Sequence, residues 1–144
     1  MDLSLDNIKY DNNKNDPQFW EGKEPLRLCF RGHIIKVDRY NIYLKSDFVK
    51  QILNSIPDID IVEIDLFVST VGLEHIENYI NNSILDTSII SQDVMVNLIQ
   101  ISNYLIIPDL CSMLMTAYGK TINVLKETFD DYHKKQIQKI GINL

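Results

Sequence analysis

The chain has 144 residues, a mass of 16.8 kDa and a formal net charge of -6, which fits one domain at ~150 residues per domain. Two cysteines exclude a disulfide scaffold. The acidic balance argues against a dedicated nucleic-acid binder, which needs cations to neutralise phosphates, and every apolar run is too short for a transmembrane helix.

A domain of this size buries about 69% of its unfolded surface, enough for one core without metal or disulfide support. Met1–Asp6 carries neither the basic start nor the apolar stretch of a secretory signal. The expectation is therefore an intracellular protein, cytoplasmic or nuclear, with no membrane and no nucleic-acid partner. Ile, Asn, Asp, Lys and Tyr are heavily used while Gly, Ala, Arg and Pro are scarce. That bias reads as an AT-rich coding sequence, of the kind found in some protists and large DNA viruses, in which case the compartment is that of the host cell.

Residues 1–25 hold six acids against three lysines. The tract Asp11–Pro17 has nothing to bury, so 1–25 is expected to be a mobile acidic arm. Phe19 and Trp20 interrupt it. They would either tuck against the domain edge or dock on a partner or a second copy.

From Leu26 the pattern becomes extended. Leu26, Leu28 and Phe30 alternate with Arg27, Cys29 and Arg31, as in a half-buried strand. Gly32-His33 reads as a tight turn and Ile34–Val37 as the returning strand. Cys29 is expected to pack as a small hydrophobe.

Tyr40–Leu44 is short and apolar. Ser46 then suits a helix N-cap and Asp47 the helix dipole. Phe48, Val49, Ile52, Leu53 and Ile56 share one helical face. Pro57 should stop that helix near Ser55 or Ile56. Ile59 to Leu66 reads as a strand whose alternation changes phase, suggesting a bulge or two short strands. Ser69 or Thr70 caps a helix with Leu73, Ile76, Tyr79 and Ile80 inside, ended by Asn81-Asn82-Ser83. Residues 84–90 form a connection with room for one more short strand at Ser88–Ile90.

Ser91 to Ile107 is the most apolar helix and belongs at the centre of the core. Pro108 suits the first position of a further helix, where its missing amide costs nothing. Leu110, Leu114, Ala117, Tyr118, Ile122 and Leu125 continue the apolar stripe. Phe129, Tyr132, Ile137 and Ile140 extend it into a helical segment over 126–144, with Lys134, Lys135 and Lys139 suiting its end and Gly141 its cap.

Catalytic and cofactor signatures do not emerge. His33, His75 and His133 are widely spaced and form no zinc pattern with Cys29 or Cys111. Phosphate-binding glycine loops and nucleophile elbows are missing from the sequence. Asp60, Glu63 and Asp65 do not share a strand face, and His133 beside Asp130 and Asp131 reads as a solvated surface group. No enzyme activity, metal or cofactor is expected.

In order, these elements make a compact α+β domain, a small three-stranded sheet flanked by a cluster of helices. Three stretches resemble the BTB/POZ and Skp-type adaptor family. Leu28 to Arg39 is similar to the family's opening hairpin and runs into the helix pair at Tyr40–Val49. Glu74–Asn82 is similar to the helix before the family's Tyr-x-Gly turn. Leu98 to Leu110, with Ser102-Asn103-Tyr104-Leu105-Ile106-Ile107, resembles its small-x-Tyr-Leu-x-Ile turn. The resemblance covers roughly 26–125 and implies a BTB/POZ-like domain there.

The family consists of non-enzymatic interaction modules. The resemblance thus implies an adaptor linking a cullin-type ubiquitin ligase to a target or receptor. The alternative is a self-associating scaffold or decoy without a ligase role. Val94, Met95 and Val96 match the start of the helix where family members carry a hydrophobic-x-acid motif, though without its acid. With Leu125, Phe129 and Tyr132 on the C-terminal face, they are the candidate partner-binding residues. Phe19, Trp20, Tyr40 and Tyr43 are the candidates for self-association in a two-fold interface.

Overall fold

The computed structural model describes residues 13–120. Its elements run α1 (Pro17–Trp20), β1 (Leu26–Phe30), β2 (His33–Val37), α2 (Arg39–Lys45), α3 (Asp47–Ser55), β3 (Ile61–Ile64), α4 (Thr70–Asn82), a 3-10 turn (Thr87–Ile89) and α5 (Gln92–Leu105). A further helix, α6, occupies residues 108–120.

The sheet has the order β2-β1-β3. β1 is central because it is apolar on both sides of its alternation: Leu26, Leu28, Cys29 and Phe30 are all buried. Cys29 thus packs as the small hydrophobe expected. β2 returns antiparallel, pairing Leu28 with Ile35. The expected turn shifts by one residue, because β2 already starts at His33. Arg31 and Gly32 are the two loop residues and both have positive φ, +47° and +90°. Two-residue hairpin loops need this sense of twist, and glycine adopts it without strain.

β3 lies parallel to β1, with Leu28 opposite Val62 and Phe30 opposite Ile64. The expected bulge is not found. The phase change marks the point where chain meets strand: the Ile59 amide closes a turn onto the Ile56 carbonyl, 3.2 Å. Pairing then begins, and burial alternates from Val62 to Val68.

Capping fixes the helices much as their sequences suggest. The Ser46 hydroxyl accepts the Val49 amide at the start of α3, and Ser69 accepts the Gly72 amide at the start of α4. α3 ends at Ser55, two residues before Pro57. Asp38 caps α2 through the Asn41 amide, and Ser46 separates the two helices of the expected pair. In place of a short strand at Ser88–Ile90, Asp86 accepts the Ser88 amide and folds the chain into the 3-10 turn.

The core lies between the sheet and the helices. Ile42, Val49, Leu53, Ile76, Ile80, Leu98, Ile101 and Leu105 are fully or almost fully buried within it. Ser46, also fully buried, joins the α2–α3 corner to the end of α5 by donating to the Leu105 carbonyl. Asn81 pins α4 to the end of β2, accepting from the Asp38 amide and donating to the Lys36 carbonyl.

The expectation of a mobile arm needs correction for residues 13–25. α1 is built onto the domain, and Trp20 is only 5% exposed. Its indole N–H donates to the Lys14 carbonyl at 2.8 Å and its ring lies 5.3 Å from Tyr43. Buried Arg39 adds a second tie by donating to the carbonyls of Glu24 and Pro57. The domain therefore begins before Leu26. The expected C-terminal segment over 126–144 lies outside the described residues.

Candidate interaction surface

The β3–α4 loop meets α5 in a small network built on Asn97. Its side-chain oxygen accepts the Ser69 amide at 3.1 Å, and its amide group donates to the Phe67 carbonyl at 2.9 Å. Both ends of one side chain are therefore engaged with the loop backbone. Gly72 permits this closeness. A Cβ there would stand 3.0 Å from Ser69 Oγ and 3.1 Å from Asn97 Oδ1.

The clamp presents Phe67 outward. Val68 beside it is buried, whereas Phe67 is 65% exposed. Exposing an aromatic ring forgoes hydrophobic stabilisation, and doing so on a pinned loop avoids the ordering cost of later contact. Between Phe67 and the first turns of α5 lies a recess of about 250 Å³, lined by Asp93, Val94, Val96, Asn97 and Gln100. Because the Asn97 amide is occupied by the loop, the recess is mainly carbon-lined, as a site for an apolar side chain should be.

The expected partner-binding residues separate here. Val94 is half-buried and Val96 is exposed at the recess. Met95 is 2% exposed and belongs to the core. It shares the inward helical face with Leu98, Ile101 and Leu105, so it is removed from the set of surface contacts. Leu125, Phe129 and Tyr132 lie outside the described residues.

The expected self-association residues also divide. Trp20 and Tyr43 are buried against each other, and the Tyr43 hydroxyl donates to Asn54. Neither offers a surface in this conformation. Phe19 and Tyr40 are half-buried. Phe19 packs edge-on against Trp20 with the ammonium groups of Lys14 and Lys23 over its ring.

Phe67 was not among the residues singled out from sequence, yet a signal existed. Carrying the alternation of Val62 and Ile64 on through Leu66 and Val68 places Glu63, Asp65 and Phe67 on the outer side. A second apolar depression lies at the α5–α6 turn, around Ile106, Pro108 and Cys111. Ile106 there has φ +52°, an uncommon backbone conformation for a β-branched residue.

The titrating groups are structural. The hydrogen bond from Lys23 holds Asp58 below the usual carboxylate range, helped by that ammonium's charge. Hydrogen bonds from Ser88 do the same for Asp86. Burial lowers Lys45, opposed by Asp38, and burial followed by the Asp109 charge raises Tyr79. Among the described residues, no group of three or more His, Cys, Asp or Glu is placed to hold a metal ion. No described helix is long and apolar enough to cross a membrane.

No family model matches the chain, and no curated protein sequence matches it. Among solved structures it is similar to the BTB (Tramtrack and Bric a brac) domain of human Gigaxonin. The TM-score is 0.53 at 20% identity, over 69% of this chain and 81% of that one. The chain has a BTB-like fold. The α+β architecture with its three-stranded sheet, expected from element order, is the one observed.

Proposed function

We propose that this BTB-like domain is a non-enzymatic protein–protein interaction module that docks partners at the Phe67 recess. The observation that carries the reading is Phe67 itself, a largely exposed aromatic ring on a loop fixed by two hydrogen bonds with Asn97, one accepted and one donated. Aromatic anchors beside a preformed recess are the usual centres of protein interfaces. The BTB-like fold supports the same reading, since such domains generally serve as interaction modules.

Within this reading the domain acts as an adaptor between a cullin-type ubiquitin ligase and a target or receptor. Val94 and Val96, at the start of α5, belong to the recess and match the positions of the family's hydrophobic-x-acid motif, without its acid. The test is capture by the full chain of purified cullin N-terminal domains and receptor box segments. Binding that weakens in the Phe67→Ser variant is expected. Absence of binding to every member of both panels refutes the adaptor role.

A self-associating scaffold is the second reading. One observation favours it: among the described residues β2 is an edge strand, with Ile34 half exposed, and open edges invite pairing. Light scattering decides it, because a 16.8 kDa monomer at high concentration contradicts self-association.

A further inference from the structure

Charge is distributed unevenly along the domain. Residues 23–50 contain seven Lys or Arg and three acids, whereas residues 51–119 contain nine acids and no Lys or Arg. Two of those nine acids are in ion pairs, Asp58 with Lys23 and Asp65 with Arg31. Asp60, Glu63, Glu74, Glu77, Asp93 and Asp109 have no ion-pair partner among the described residues.

The Phe67 recess lies wholly within the acidic part. Asp93 is among its lining residues, and no described Lys or Arg lines it. Glu63 and Asp65 are exposed on the outer side of the same stretch as Phe67, but Asp65 is paired with Arg31. The one charge that lines the apolar recess among the described residues is thus negative. Such a charge steers complementary partners and penalises like-charged ones.

We propose that the recess takes a basic-apolar segment of a partner protein, with one apolar side chain beside Phe67 and a neighbouring Lys or Arg facing Asp93. This rests on the recess being a docking surface. It adds the partner's chemistry, which the apolar contacts alone leave open. A Lys or Arg flank would meet Asp93 at the recess, where an ion pair is exposed and therefore weakened by salt.

The experiment pans the full chain against a random phage-displayed library of peptides about 12 residues long, long enough to cross an interface patch as an extended strand. Enriched sequences are then measured as synthetic peptides. Controls are Phe67→Ser and Asp93→Lys, each checked for an unchanged circular dichroism spectrum. The expected consensus joins one apolar anchor to Lys or Arg. Binding should fall about tenfold or more in Phe67→Ser and about tenfold in Asp93→Lys. It should also fall about tenfold between low and high salt, as screening of exposed charges requires.

A neutral or acidic consensus that still needs Phe67 overturns the charge inference and leaves the docking role standing. Failure to enrich any peptide, or binding indifferent to Phe67, overturns both. Salt-sensitive self-association that Phe67→Ser abolishes also overturns the proposal, because it assigns the recess to a second copy.

Discussion

Asn97→Ala removes the clamp that holds the β3–α4 loop. Two hydrogen bonds are lost, at 3.1 Å from the Ser69 amide and 2.9 Å to the Phe67 carbonyl. Each contributes about 0.5–1.5 kcal/mol net. The Phe67 carbonyl can turn to water, whereas the Ser69 amide is partly buried, so the expected loss is about 1–2 kcal/mol. Urea denaturation should show a lower midpoint at unchanged slope, the mark of a stability change without a new denatured state. Native-state hydrogen exchange should show the Ser69 amide opening more readily than in the parent, ahead of the core amides of α5. Asn97→Asp keeps the acceptor and loses the donor, so it should retain part of the stability and the Ser69 protection. An Asn97→Ala midpoint equal to the parent's, with Ser69 protection unchanged, refutes the clamp.

Other expectations follow from the same structure. Trp20→Ala should cost about 3–5 kcal/mol by thermal or urea unfolding, because it empties a packed aromatic site; a truly mobile arm would make it silent. Ser46→Ala should cost about 2–3 kcal/mol, since it loses the α3 cap and leaves the buried Leu105 carbonyl without its donor. Ile106→Gly should raise the urea midpoint by about 0.5–1 kcal/mol equivalent, because the left-handed conformation costs a β-branched residue more than glycine. Asp58 titrates below its ordinary value in the fold, so the unfolded chain takes up its proton first as pH falls. Its contribution is full above the unfolded pKa near 3.8 and is lost as pH falls through the lower folded value; a pH series in which Asp58→Asn has the same acid slope as the parent contradicts this.

Local chemistry was legible in the sequence. Ser46, Ser69 and Pro57 mark helix ends through hydroxyl acceptors and a proline ring that crowds the residue before it, and each acts within four residues. The β1–β2 hairpin was also visible in its apolar alternation. What depends on distant residues was not. Asp11–Pro17 looks unable to order itself, and only Trp20 reaching Tyr43 shows why residues 13–25 belong to the domain. Ser88–Ile90 has the β-branched content of a strand, but Asp86 two residues earlier captures the Ser88 amide and its hydroxyl. Met95 looked like part of a docking triplet because sequence spacing alone does not tell the two faces of a helix apolar nearly all round. Phe67 was hidden for a different reason. It lies past the end of β3, where the strand rule stops, although burial still alternates.

The docking role of the Phe67 recess is tested most directly by isothermal titration of one captured partner against the parent chain and Phe67→Ser. The ring is 65% exposed, so the substitution should leave the unfolding midpoint within about 0.5 kcal/mol of the parent, as surface changes do. Binding should weaken by about 2 kcal/mol or more, the loss typical of a central aromatic anchor. Equal affinities in two equally stable proteins would contradict the account.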